Sequence, residues 1–118
     1  MHELAIADSI FRTVLAEIDK NGYARVSSIG LRIGLLTDVV SEALTFGFEA
    51  IARGTPLEHT RLEIERIPIT GRCRTCGAEN QIERYLFVCP HCGSRDIDMI
   101  QGGELDIAYI EIDDENSS

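Results

Sequence analysis

Residues 71–103 read GRCRTCGAENQIERYLFVCPHCGSRDIDMIQGG, and this stretch decides how the chain is organised. It holds all four cysteines as two Cys-x-x-Cys pairs, Cys73/Cys76 and Cys89/Cys92, with twelve residues between them. Two such knuckles can place four thiolates around one tetrahedral ion at about 2.3 Å. Gly77 and Gly93 follow the second cysteine of each pair, where the chain must turn its N–H groups toward sulfur. Soft thiolates at this spacing predict a structural zinc, ahead of a rubredoxin-like iron site or a redox dithiol pair. Residues 71 to 100 hold little that could fill a core. Chains below about 40 residues usually need a staple, so metal binding here is largely folding energy. His91 reads as an exposed knuckle residue, because four thiolates already close the site. Ile82 to Val88 predicts one short strand of a ribbon.

On the N-terminal side of this stretch the periodicity is helical. Leu4, Ala7, Phe11, Val14 and Ile18 follow one stripe, widened by Ile10 and Leu15, and Asn21-Gly22 stops it. Ile29, Leu31 and Ile33 alternate with Ser28, Gly30 and Arg32, which predicts a strand with one buried face, ended by Gly34. Thr37 and Asp38 are the N-caps expected for a second helix, with Val40, Ala43, Leu44, Phe48 and Ile51 inward. Gly47 weakens that helix by about 1 kcal/mol relative to Ala, so it marks close packing. Gly54, Thr55 and Pro56 stop the helix. His59 lies in a polar turn and reads as solvated. Leu62 and Ile64 alternate with Glu63 and Glu65 in a second strand. Beyond the cysteines, Leu105 to Ile112 reads as a last strand with continuous apolar character over Ile107 to Ile110.

The fold class expected is α+β: two helices packed on a small three-stranded sheet, with an inserted zinc-ribbon-like lobe. The final strand returns to the first sheet. The expected divisions are therefore 1–70 for the first part of an α/β domain, 71–100 for the inserted zinc-binding domain, 101–112 for the returning strand and 113–118 for an acidic tail.

Composition narrows the function. The chain has 118 residues, 44% hydrophobic and 26% charged, as in an ordinary globular protein. Eleven basic against 20 acidic residues give a net charge of −9, which argues against non-specific binding to nucleic acid or an anionic membrane. No apolar run approaches the ~20 residues of a membrane span, and no signal peptide is read, so a cytoplasmic location is expected.

The chain opens Met1-His2-Glu3. The α-amine of Met1, the amide nitrogen of His2 and its imidazole Nδ1 can form fused five- and six-membered chelate rings. That nitrogen-rich planar set suits Ni(II) or Cu(II), with a fourth position open to Glu3 or another ligand. The other role open to Glu3 is a favourable charge at a helix N-terminus.

These signals together resemble the HypA/HybF nickel-incorporation proteins of hydrogenase maturation. The resemblance spans nearly the whole chain. It rests on Met1-His2-Glu3, the Ile33-Gly34 strand end, the Gly54 stop, both cysteine pairs and Gln101-Gly102-Gly103-Glu104. It implies a metallochaperone without catalytic activity that binds Ni(II) through Met1 and His2, with Glu3 supporting coordination or docking. Cys73, Cys76, Cys89 and Cys92 would hold structural zinc. The implied partners are a HypB-type nickel-handling GTPase and the apo large subunit of a [NiFe]-hydrogenase, with the chain a monomer or weak homodimer. Asp38 lies near a position where some relatives carry a carboxylate proposed to approach nickel, although its residue type reads first as an N-cap. Some relatives also serve urease maturation.

The alternative function is a zinc-ribbon nucleic-acid-binding or protein-interaction module. Arg72, Arg74, Arg84 and Arg95 gather in the cysteine stretch, but a Zn(Cys)₄ centre of about −2 makes the protein still more acidic. A zinc hydrolase needs an open coordination position, which four cysteines deny.

Overall fold

The computed structural model describes residues 2–23, 25–83 and 85–113. The element order is α1 (Glu3–Asn21), β1 (Val26–Gly34), α2 (Ser41–Ala52), β2 (Arg61–Ile67), β3 (Thr70–Cys73), β4 (Glu79–Gln81), β5 (Ile97–Gln101) and β6 (Leu105–Ile112). Two three-stranded sheets form, ordered β2-β1-β6 and β4-β3-β5. The α+β class, the two helices and the return of the last strand to the first sheet are as expected.

β1 is the middle strand of the first sheet, and this changes its expected character. Ser28 and Gly30 are buried along with Ile29, Leu31 and Ile33, so both faces are covered. The second face is closed by β6. A side chain at Gly30 would collide with the Tyr109 ring, and Ser28 Oγ donates to Glu111 Oε1 at 2.8 Å. Tyr109 Oη in turn donates to Glu63 Oε1 at 2.6 Å, which lowers the Glu63 pKa. Sequence alternation marks which residues face the helices, but it cannot show that a neighbouring strand roofs the other side.

Hydrogen bonds near the strand ends fix direction. Thr60 Oγ1 donates to Val26 O and Leu35 N–H to Ile67 O, so β2 runs parallel to β1 through the α2 crossover. Gly34 N–H donates to Glu104 O and Asp113 N–H to Arg25 O, so β6 is antiparallel.

The chain divides into two compact units: Met1–Leu31, Val39–Ile64 and Ile107–Ser118 in the first, and Arg32–Asp38 with Glu65–Asp106 in the second. In the first, Ala7, Ile10 and Val14 of α1 and Leu44, Phe48 and Ala52 of α2 are buried with Ile29, Leu31 and Leu57. Phe11 meets Phe48 edge to face at 6.4 Å. Gly47 does mark close packing: a Cβ there would lie 3.4 Å from Leu4 Cδ1 and 3.7 Å from Ala7 Cβ.

Three helix expectations change. Leu4, in the first turn of α1, is 61% exposed; Val40 is 52% exposed and Ala43 is exposed as well, because the inward arc of α2 runs through Leu44, Gly47, Phe48 and Ala52. Neither Thr37 nor Asp38 caps α2, whose N-cap is Val40 with no side-chain capping bond of its own. Thr37 Oγ1 instead donates to Gly34 O at 2.9 Å, closing a turn, and Asp38 is exposed. The Val40 N–H is satisfied from α1: it donates to Glu3 Oε2 at 3.0 Å.

In the second unit, β3 is the middle strand, paired antiparallel with β4 and β5. The strand expected at Ile82–Val88 does not form among the described residues of that segment. Ile82 turns inward and its N–H bonds to Ile69 O, Leu86 N–H closes a turn onto Glu83 O, and Tyr85 has φ 58. That left-handed residue cannot continue a strand. The ribbon partners are β4 and β5 on either side of this segment.

Three chain passages meet beside Gly34. Gly34 N–H bonds to Glu104 O, Leu35 N–H to Ile67 O and Leu36 N–H to Gly102 O, all within 2.9 Å. A side chain at Gly34 would strike the Gly102 carbonyl, and one at Gly102 would lie 2.8 Å from Ile69 Cα.

Candidate metal sites

The two knuckles fold alike. Gly77 N–H bonds to Cys73 O and Gly93 N–H to Cys89 O, each at 2.8 Å, with Gly77 and Gly93 at φ 81 and 76. A side chain resists that left-handed geometry, so glycine after the second cysteine lets the loop close on its sulfurs. Cys73 and Cys89 are buried, while Cys76 and Cys92 are exposed. β3 ends at Cys73, whose N–H bonds to Ala78 O, and Cys89 N–H bonds to Ser94 O, so backbone positions the inner sulfur of each pair.

All four Sγ atoms lie within 4.8 Å of one another, with Cys73–Cys92 and Cys76–Cys89 at 3.6 Å. A tetrahedron with metal–sulfur bonds of about 2.3 Å has edges near 3.8 Å, so the cluster can hold one metal ion and its donors suit zinc. The thiol acidities argue the same way. The Cys76 N–H, 3.4 Å from the sulfur, helps bring Cys73 down to about 6, and the Cys92 N–H lowers Cys89. At Cys92 the Ser94 N–H pulls downward, yet the Cys73 sulfur, desolvation and the Cys89 sulfur push it up to about 12. Cys76 is raised in the same manner against the Ala78 N–H. Four crowded thiols therefore resist full ionisation until a cation compensates their charge, which a divalent ion at the centre does.

Two of the four arginines that gather in this stretch, Arg72 and Arg74, are paired with acidic neighbours. Arg72 Nε donates to Glu79 at 2.9 Å, and Arg74 pairs with Asp98 and lies 3.7 Å from Asp96. Arg84 lies outside the described residues. The patch that a nucleic-acid reading would need is thus partly neutralised by its own neighbours.

The other candidate lies at the N-terminus. Met1 and its α-amine fall outside the described residues, as does the tail beyond Asp113. His2 precedes α1, is exposed and makes no side-chain capping bond. Glu3 stands in the first turn of α1 and accepts the Val40 N–H, whose donation is the first cause of its lowered pKa. An open cleft of about 810 Å³ is lined by His2, Glu3, Leu4, Ala5, Asp8 and Ile51. Asp8 was not singled out from the sequence, although its place four residues past Leu4 on the same helical face was a signal that could have found it. The Glu3–Val40 bond and Ile51 were not legible, because they depend on how α2 packs on α1.

A family model described as hydrogenase/urease nickel incorporation, metallochaperone, hypA matches residues 1–112. The chain is 42% identical over 112 residues to the hydrogenase maturation factor HypA of Chloroflexus aggregans, covering 94% of this chain and 98% of that one. It is 41% identical over 117 residues to the factor of the same name from a Roseiflexus species, covering 98% and 94%. Among solved structures, it is similar to the solution structure of the Ni metallochaperone HypA from Helicobacter pylori, with a TM-score of 0.66 and 19% identity over 95% of this chain and 97% of that one. At that identity the likeness speaks for the fold.

Proposed function

The chain belongs to the HypA family of hydrogenase/urease nickel-incorporation metallochaperones, and from that premise we propose that it binds Ni(II) at its own N-terminus and hands it to the apo large subunit of a [NiFe]-hydrogenase. The observation that carries the nickel site is His2: it sits at the head of α1 beside an open cleft, with its imidazole not used as a helix cap. The Met1 α-amine and the His2 amide and Nδ1 supply nitrogen ligands suited to Ni(II). Glu3 either completes the set or holds this end against α2 through Val40.

Cys73, Cys76, Cys89 and Cys92 hold one structural zinc in the inserted domain, residues 71–100, while residues 1–70 and 101–112 form the nickel-binding domain. The protein acts in the cytoplasm beside a HypB-type GTPase and hydrolyses nothing itself. Among the described residues, no helix is long and apolar enough to cross a membrane.

Calorimetry on the untagged chain tests the nickel site. One Ni(II) per monomer is expected, with affinity falling from about pH 8 toward pH 6 as protons compete for the ligands. His2→Ala should abolish binding and leave zinc content unchanged, and a residue added before Met1 should weaken it. Unchanged uptake by His2→Ala would place nickel elsewhere.

A further inference from the structure

Helix α2 presents an outward apolar stripe. Ala43, Phe46 and Ala50 recur at i, i+3 and i+7, and all three are exposed. Phe46 is 73% exposed, more than any other large apolar side chain described. Its position lies outside the arc of α2 that reaches the core, so the fold gains nothing from an aromatic ring there. The stripe continues onto α1, because exposed Leu4 packs against Gly47, the next residue along.

The charged side chains that line the groove at Phe46 are both acidic. A groove of about 270 Å³ is lined by Phe46 with Ser41, Glu42, Thr45 and Glu49. Glu42 and Glu49 stand four residues before and three after Phe46, so both flank its ring. On the α1 side, the acidic residues of the His2 cleft are Glu3 and Asp8, of which Asp8 is already paired with Arg12 at 2.8 Å. Neither recess is lined by Lys or Arg.

We propose that this face of α1 and α2 docks a basic amphipathic segment of a protein partner. An apolar side chain of the partner would seat against Phe46 and Leu4, with Lys or Arg on its flanks meeting Glu42 and Glu49. A second copy of the chain is the poorer occupant, since each carries a net charge of −9. The surface adjoins the His2 cleft, so a partner held here stands next to the proposed cargo. The identity of the partner rests on the metallochaperone reading; the chemistry of the surface does not.

The test uses the full-length, zinc-loaded chain with two purified probes: the GTPase and the apo hydrogenase large subunit. The wild type should bind at least one, less tightly as salt rises. Phe46→Glu should weaken that binding at least tenfold while helicity, zinc content and nickel uptake stay unchanged. Phe46→Ser should weaken it less, and Glu42→Gln with Glu49→Gln should flatten the salt dependence. Binding by Phe46→Glu within twofold of wild type would overturn the proposal, as would wild type that binds neither probe. A dimer converted to monomer by Phe46→Glu would give the surface to a second copy and overturn it too. His2→Ala separates the two ideas: it should lose nickel yet dock normally. Nickel retained by His2→Ala would sink the nickel reading and leave the docking face standing.

Discussion

The two units are stabilised by different means. In the first, two helices and three strand segments enclose side chains such as Val14, Ile29, Leu44, Phe48 and Leu57, each almost wholly buried. In the second, the buried apolar residues beside the cysteines are chiefly Ile33, Ile67, Ile69 and Ile82, and four sulfurs converge where a larger core would otherwise sit. The first unit is stabilised by area removed from water, a property spread over many residues. With the zinc proposed above, the second would concentrate its stabilisation at one point and depend on the state of four atoms. The first should tolerate a lost methylene, whereas the second should not tolerate a lost ligand.

Removing the metal should have the largest effect. In zinc-finger peptides a structural zinc supplies roughly 10–16 kcal/mol of apparent binding energy, and the zinc proposed here should act in the same direction. A strong chelator, or Cys73→Ala, should strip hydrogen-exchange protection from β3, β4 and β5 while α1 and α2 retain theirs. Continued protection of the Arg72 and Cys73 amides in metal-free protein would break the contrast, because the ribbon would then stand without its ion. The mirror experiment is Phe48→Ala. Truncating a buried Phe costs about 3–5 kcal/mol, so urea unfolding of α1 and α2 should move to lower denaturant, with zinc stoichiometry unchanged below the transition. Zinc lost in step with the helices would show one cooperative structure in place of two modes of stabilisation.

The smallest effect belongs to Glu3. Its pKa in the folded chain lies below the ordinary 4.5, held there first by the Val40 N–H. A depressed carboxylate pKa contributes stability fully above 4.5, and the contribution is lost as pH falls through the lower, folded value. Glu3→Gln should remove that acid dependence and speed exchange of the Val40 amide, leaving the rest of α2 unaffected. Since Glu3 is exposed to solvent screening, the change should be local. If acidification alone left Val40 exchange unchanged, the carboxylate would not be what holds that amide.

Sequence reasoning worked where one residue type carries one meaning. The cysteine spacing brought four sulfurs to one point, the two glycines closed their turns, and the stripe of Leu4, Ala7, Phe11, Val14 and Ile18 marked α1, although Leu4 at its head is exposed. It failed where a partner from another element decides. Val40 looks inward by period but sits at a helix start, where its N–H matters more than its side chain. Ser28 and Gly30 look outward until Tyr109 and Glu111 of β6 cover them. Ile82 to Val88 has strand-forming residues, yet Tyr85 in the left-handed region diverts it. At the N-terminus, His2 and Glu3 were legible as chemistry, but the bond from Glu3 to a second helix was not.

The crossing beside Gly34 has a consequence for chain length. The ribbon leaves at Ile67 and returns at Gly102 and Glu104, and all three points are tied by main-chain bonds to residues 34–36. Topologically the ribbon is a loop whose neck is already closed. The entropy of lengthening a closed loop grows only logarithmically, about 0.6 kcal/mol for each doubling. Residues added between the two knuckles, in the segment around Tyr85, should therefore cost the protein little. At the neck a single methyl group on Gly34 has nowhere to go. Tolerance to insertion and tolerance to substitution should thus run in opposite directions here: the ribbon should accept added chain far more readily than a side chain at either of the two glycines, Gly34 and Gly102, that shut its neck.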